Sequence, residues 1–169
     1  MKKRPYRPPT EPQTTVSIER MEDLMPLIRE RLSVGQSVKF SPHGISMLPM
    51  LRQGLDNVRL SPVQGRLKKY DLPLYQRKNG QYVLHRIVGV GNTYTCIGDN
   101  QFAVEHGIED EQIIAVVTEF TRGPKAYSVK NPLYRTYCVF WHRSRLIRRI
   151  WRGALRRIKG AIGWIRKKQ

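Results

Sequence analysis

The sequence predicts a mainly β fold, in which an antiparallel, barrel-like sheet lies between an N-terminal helix and a long basic C-terminal amphipathic helix. Short apolar segments separated by Gly, Asn and Pro follow one another over residues 36–120, which is typical of short antiparallel strands. Apolar residues recur at helical spacing before this region and again after Pro132. The 169 residues, 40% of them hydrophobic, are enough for one compact core.

We expect three segments along the chain. Residues 1–16 are rich in Pro, Thr and basic residues and form a flexible leader, residues 17–131 hold the β domain with its N-terminal helix, and residues 132–169 form a basic helical tail. The N-terminal helix begins at the N-cap Ser17 and ends at Gly35. Its buried stripe consists of Ile18, Met21, Leu24, Met25, Ile28 and Leu32.

The strands are predicted from alternation and turn residues. Val38 and Phe40 alternate with polar neighbours, which indicates the first strand. The turn signal Asn79-Gly80 joins a strand over residues 72–76 to a long strand over residues 82–88. Further strands are predicted at residues 58–60, 93–97 and 113–120.

The net charge of +18 is concentrated in the tail. Residues 1–119 carry 16 Lys/Arg and 13 Asp/Glu, giving +3, whereas residues 120–169 carry 15 Lys/Arg and no acid, giving +15. We therefore expect a polyanionic partner for the tail, whereas the function of the body need not involve a polyanion. The chain has no apolar run of the roughly 18 residues that span a bilayer. No export signal follows Met1.

The two cysteines favour a reducing compartment. Cys96 and Cys138 have neither CxxC spacing nor the density of a disulfide framework, so we expect two core thiols in a cytoplasmic protein. We expect no metal and no cofactor.

A serine in an apolar loop is the first candidate for chemistry. The segment is Gly44-Ile45-Ser46-Met47-Leu48-Pro49. Gly44 lets the backbone approach a substrate closely, Pro49 stiffens the segment, and the apolar neighbours favour a partly dry site. A serine hydroxyl needs a neighbouring base to act as a nucleophile. The alternative is an ordinary turn residue.

His85 is the candidate base, because a neutral imidazole titrates near neutrality. Strand alternation places it on one face with Val83 and Ile87, where a satisfied core histidine is the alternative. His43 is the rival base because it is close to Ser46 in sequence.

A carboxylate to orient the imidazole has several candidates. Asp99 in the corner Gly98-Asp99-Asn100 is one, although an aspartate there also caps turns. Glu105, Glu109 and Asp110 follow on a predicted surface loop and compete for the role.

Taken in order, three motifs resemble the signal peptidase I family and its LexA-type self-cleaving relatives. They are Gly44-x-Ser46-Met47-x-Pro49, His85-Arg86-Ile87-Val88 and Gly98-Asp99-Asn100, and the resemblance covers about residues 36–120. It implies a β catalytic fold and a serine endopeptidase with Ser46 as nucleophile. Bacterial members carry a lysine where His85 stands, whereas the archaeal and endoplasmic-reticulum type carries a histidine, so the chain resembles that Ser-His branch.

The same resemblance implies an acid a few residues after the Gly-Asp-Asn corner, which leaves Glu105 and Asp99 both open. The substrate would be an extended segment of a peptide or protein that pairs with a strand edge, with small residues before the cleaved bond. Backbone N–H groups near Gly44 and Ser46 would bind the oxyanion, and Ile45, Met47 and Pro49 would contact the substrate.

The alternative function is a non-enzymatic cationic module, with an inert peptidase-like body, that binds membrane or nucleic acid.

The tail is strongly amphipathic. Its apolar stripe consists of Ile147, Ile150, Trp151, Ala154, Ile158, Ala161, Ile162 and Ile165, and arginines occupy the other side. We expect residues 141–168 to lie in the plane of an anionic membrane surface on the inner face. Nucleic acid is less favoured, because phosphate contact requires no apolar face. The alternative is that the stripe packs on the body. We expect an interruption near Gly160 and Gly163.

Overall fold

The computed structural model describes residues 21–151. The predicted leader, the Ser17 N-cap and the interruption near Gly160 and Gly163 lie outside the described residues. Between residues 21 and 151 the chain forms antiparallel sheets flanked by helices, which confirms the mainly β prediction.

Helix α1 spans Met21–Ser33 and packs one face on the core. The predicted stripe is confirmed from Met21 onwards, because Met25, Ile28 and Leu32 are buried and Met21 and Leu24 pack against the core. Ile18, its first residue, lies outside the described residues. The helix ends as predicted at Gly35, which has φ +78° and donates its N–H to the Leu32 carbonyl at 3.0 Å. Glycine adopts this left-handed conformation without steric cost.

The strands form two antiparallel sheets, so the single barrel-like sheet that we expected is divided. The strands of the larger sheet are β1 (Val38–Phe40), β2 (Val58–Ser61), β3 (Pro73–Gln76), β4 (Tyr82–Leu84), β8 (Ile113–Arg122) and β9 (Lys125–Ser128). They lie in the order β1-β2-β8-β3-β4, with β9 paired to β8. The smaller sheet has the order β5-β6-β7, with β5 (Arg86–Val90), β6 (Tyr94–Ile97) and β7 (Glu105–Ile108).

The predicted long strand over residues 82–88 is wrong at its centre. The chain leaves the larger sheet after Leu84 and enters the smaller one at Arg86, so His85 is the junction between β4 and β5. Leu84, His85, Arg86 and Ile87 are all buried. The expected alternation of faces fails because the chain passes here between two sheets that cover successive side chains from both sides.

Two further strands differ from the prediction. Glu105 does not lie on a surface loop, because it begins β7 and pairs with Cys96 of β6. Strand β9, which forms a hairpin with the end of β8, has no counterpart in the predicted strands. Cys96 and Cys138 are free and buried, as expected.

Helix α2 spans Pro132–Arg143 and begins with the N-cap Asn131, whose side chain accepts the Leu133 N–H at 2.9 Å. It is interrupted at Ser144, and residues 145–151 are helical again. Of the helices in residues 21–151, none is both long and apolar enough to cross a bilayer.

The core consists of two apolar clusters. The larger one joins α1, the loop after β1, the larger sheet and α2, and the smaller one lies beside the smaller sheet. Met47, Met50 and Leu51, which come directly after Ser46, belong to the larger cluster. The loop that carries the serine is therefore anchored in the core.

Candidate active site

Ser46 lies half-buried in the turn between β1 and β2. The chain after Ser46 is anchored in the core, since Met47 is buried and its carbonyl accepts the Leu51 N–H at 3.0 Å. Arg122 of β8 donates to the carbonyls of Pro49 and Met50. The serine is thus fixed by apolar burial on one side and by backbone hydrogen bonds on the other.

Of the residues predicted to contact substrate, Ile45 and Pro49 are exposed, and Ile45 is 65% accessible. Met47 is mainly a core residue, although it also lines the cleft beside Ser46.

The corner Gly98-Asp99-Asn100 holds the serine loop. The Asn100 N–H donates to the Ser46 carbonyl at 2.8 Å, and the Asn100 side-chain amide donates to the Ile45 carbonyl at 3.1 Å. A Cβ at Gly98 would lie 2.8 Å from the Ser46 carbonyl oxygen and 3.0 Å from His85 Nε2. The absent side chain at Gly98 therefore permits the serine loop and the imidazole to approach the same point.

Ser46 and His85 line one open cleft of about 330 Å³. The cleft is also lined by His43, Gly44 and residues of β4. Among residues 21–151 no hydrogen bond joins the Ser46 hydroxyl to His85. Catalytic hydrogen bonds often tighten only when substrate is bound.

The other imidazole nitrogen faces a carboxylate. His85 Nδ1 lies 2.9 Å from Glu105 Oε1. The Glu105 carboxylate is held in turn by the Tyr75 hydroxyl, which donates to Oε2 at 3.0 Å, and by the Arg77 Nε–H, which donates to the same oxygen at 2.8 Å. A second Arg77 nitrogen contacts Oε1. The acid thus faces Nδ1, whereas Nε2 lies 3.0 Å from the place that a Gly98 Cβ would occupy.

The expectation that Asp99 orients the imidazole is corrected, because its carboxylate is taken by Arg86. The guanidinium donates to both carboxylate oxygens, at 2.8 and 2.7 Å, and the pair is almost completely buried. Arg86 also donates to the Tyr134 hydroxyl of α2 at 2.8 Å. Asp99 therefore ties the corner to α2, and Glu105 is the acid in contact with His85.

Electrostatics favour a neutral imidazole beside an ionised acid. Burial lowers the pKa of His85 below its ordinary value and outweighs the opposing effect of Glu105, while the Arg77 charge lowers it further. Burial also disfavours the charge of Glu105, but hydrogen bonds from Arg77 and Tyr75 outweigh this and lower the pKa of that carboxyl. At neutral pH the imidazole is then free to accept a proton.

The remaining candidates have other partners or exposed positions. His43 lines the cleft but is exposed. Glu109 pairs with Lys78 at 3.2 Å, and Asp110 accepts the Tyr94 hydroxyl at 2.5 Å, so both competing acids are committed elsewhere.

The expected oxyanion donor at Gly44 is also corrected, because its N–H donates to the Gln53 side chain at 3.0 Å. This leaves the N–H groups of Ile45 and Ser46 as the donors to consider from that segment.

Tyr75 and Arg77 are site residues that sequence reasoning missed. The two residues are two positions apart in an extended segment, so the sequence does predict that their side chains lie on one face. It does not predict that this face contacts Glu105, because Glu105 belongs to β7 of the other sheet.

Comparison of the chain with protein-family models, with curated proteins and with solved structures gave no match. Within residues 21–151 no group of three or more His, Cys, Asp and Glu side chains is placed to hold a metal ion.

Proposed function

We propose that this chain is a serine endopeptidase in which Ser46 is the nucleophile, His85 the general base and Glu105 the acid that orients the base. One observation carries the proposal. The imidazole has its Nδ1 2.9 Å from Glu105 Oε1, and its ring lines the same open cleft as Ser46. A serine hydrolase requires an acid, an imidazole and a hydroxyl in that order, and these three side chains supply the groups.

The reaction follows from that order. His85 Nε2 takes the proton of the Ser46 hydroxyl while the oxygen attacks the scissile carbonyl, and the imidazolium then gives the proton to the leaving amine. A water repeats the sequence on the acyl-enzyme and releases the second product. Glu105 stabilises the transient imidazolium. The Ser46 N–H would stabilise the oxyanion, which is worth about 3–4 kcal/mol per donor in other proteases.

The substrate proposed is an extended peptide segment. Strand β4 is at one edge of the larger sheet and lines the cleft through Tyr82, Val83 and Leu84. An extended peptide adds to such an edge through main-chain hydrogen bonds. The preference for small residues before the cleaved bond comes from the family resemblance.

An acylating probe tests the proposal without a known substrate. A fluorophosphonate should label the full chain stoichiometrically at Ser46, located by mass spectrometry, and Ser46→Ala should abolish labelling. His85→Gln should slow it at least about a thousandfold, because the hydroxyl loses its base.

The matched control is Ser41→Ala, which changes a serine of the same loop that does not line the cleft. It should label like the wild type. A wild-type chain that stays unlabelled, or a His85→Gln chain that labels at the wild-type rate, would contradict the proposal and favour the non-enzymatic cationic module.

A further inference from the structure

The helical segment over residues 145–151 turns its apolar side chains away from the protein body. Four of them form what we call the outer face, with exposed fractions of 64%, 70%, 74% and 67% for Leu146, Ile147, Ile150 and Trp151. Scattered apolar residues are normal on a protein surface, but four on adjacent turns form a contiguous patch of the kind that marks an interaction site.

The orientation of this segment is set by an arginine. The Arg148 guanidinium lies 3.7 Å from the centre of the Trp141 ring and donates to the Trp141 carbonyl at 2.5 Å and to the Asp99 carbonyl at 3.4 Å. Arg145 is half-buried as well. The helical repeat of about 3.6 residues places these two arginines opposite the outer face.

This arrangement reverses the usual packing of an amphipathic helix, in which apolar residues face the core. The alternative that the apolar stripe packs on the body is therefore wrong for the part of the stripe that lies before residue 152. The helix instead contacts the body through Arg148 and presents Ile147, Ile150 and Trp151 outwards.

Charge indicates what covers the outer face. Residues 120–169 carry 15 Lys/Arg and no acid, and Arg149, on the same helical segment as the outer face, is exposed, as is Arg143 just before it. A second copy of the same face would bring these like charges together, which is unfavourable. Nucleic acid would neutralise the arginines but would leave the apolar side chains in water. An anionic bilayer binds both the arginines and the apolar side chains, because its headgroups attract the arginines and its interfacial region accommodates the apolar side chains.

We propose that the outer face docks in the plane of an anionic lipid surface, with Ile147, Ile150 and Trp151 inserted at the headgroup boundary. The proposal is independent of the peptidase proposal, since it uses no residue of the cleft.

Vesicle co-sedimentation of the full chain tests it. Vesicles of phosphatidylglycerol mixed with phosphatidylcholine should bind the protein, and vesicles of phosphatidylcholine alone should bind it much more weakly. The double variant Ile147→Ser/Ile150→Ser should lower partition onto the anionic vesicles at least about tenfold, because two apolar anchors are lost. Its fold should persist, because both side chains are exposed, and thermal unfolding checks this.

The matched control is Val34→Ser, which removes an equally exposed apolar side chain, 67% accessible, at the end of α1. It should bind anionic vesicles like the wild type, and Ser46→Ala should do so too. The fluorescence of Trp151 should shift to the blue on binding, and Trp151→Phe should reduce that shift.

Three results would overturn the proposal. The wild type does not sediment with anionic vesicles; the double variant binds them as well as the wild type; or the wild type self-associates without lipid and the double variant does not. In the last case the outer face is an interface between copies of this chain.

Discussion

Replacing Gly98 with alanine tests whether the corner holds the serine loop against the imidazole. The new Cβ would lie 2.8 Å from the Ser46 carbonyl oxygen and 3.0 Å from His85 Nε2, whereas ordinary contact begins at 3.4 Å. Neither the Ser46 carbonyl oxygen nor the His85 ring can move away easily. The Ser46 oxygen is backbone and accepts the Asn100 N–H at 2.8 Å, and the imidazole is held by Glu105 at 2.9 Å.

The magnitude follows from the required displacement. Relief of the closer contact needs a shift of about 0.6 Å between the corner and the serine loop. A misplacement of about 1 Å costs about a hundredfold in rate, so a shift of about 0.6 Å should make the Gly98→Ala protein react about 10- to 30-fold more slowly. Overpacking of this kind also lowers the free energy of unfolding by about 1–3 kcal/mol.

The assay is the second-order rate of fluorophosphonate labelling at Ser46, measured well below the unfolding temperature so that both proteins are folded. Gly91→Ala is the matched control, since its Cβ would lie 3.8 Å from the nearest atom, the Thr93 carbonyl oxygen. It should change the rate less than twofold. Labelling of Gly98→Ala at the wild-type rate would show that the corner does not position the nucleophile.

The remaining predictions concern the charges around the site. Glu105→Gln keeps the shape of the acid but removes its charge, so labelling should slow about a thousandfold; a change of only a few fold would assign the role to another group. Because burial lowers the pKa of His85, the acid limb of the labelling rate should lie below pH ~6.5, and the protein should lose reactivity as pH falls through that limb. Arg77→Met removes a cation that lowers this pKa, so the limb should move to higher pH, while Glu105 and Asp99, whose charges raise the His85 pKa, stay in place; an unmoved limb would exclude that role. Arg86→Met leaves Asp99 buried without its partner and should lower the free energy of unfolding by about 3–5 kcal/mol in urea titration, and a loss below about 1 kcal/mol would show that the pair is not needed.

Sequence by itself was sufficient for features that depend on neighbours along the chain. The stripe of α1, the hairpin at Asn79-Gly80 and most strands follow from apolar periodicity and from turn residues, which act over a few positions. The motif residues Ser46, His85 and Gly98 were also singled out from the sequence, and they lie at one cleft.

Only the tertiary structure decided which groups meet. In the sequence, Glu105 and Asp99 are equally good candidates for the acid beside His85. The structure selects Glu105, because the pairing of β7 with β6 positions Glu105 and because Asp99 forms an ion pair with Arg86. The break of the strand at His85 arises because the chain changes sheets there, which no local alternation encodes. The outward turn of Ile147 and Ile150 depends likewise on Arg148 contacting Trp141 and the Asp99 carbonyl. Periodicity says which side chains share a face, but the contacts made across the fold determine what that face meets.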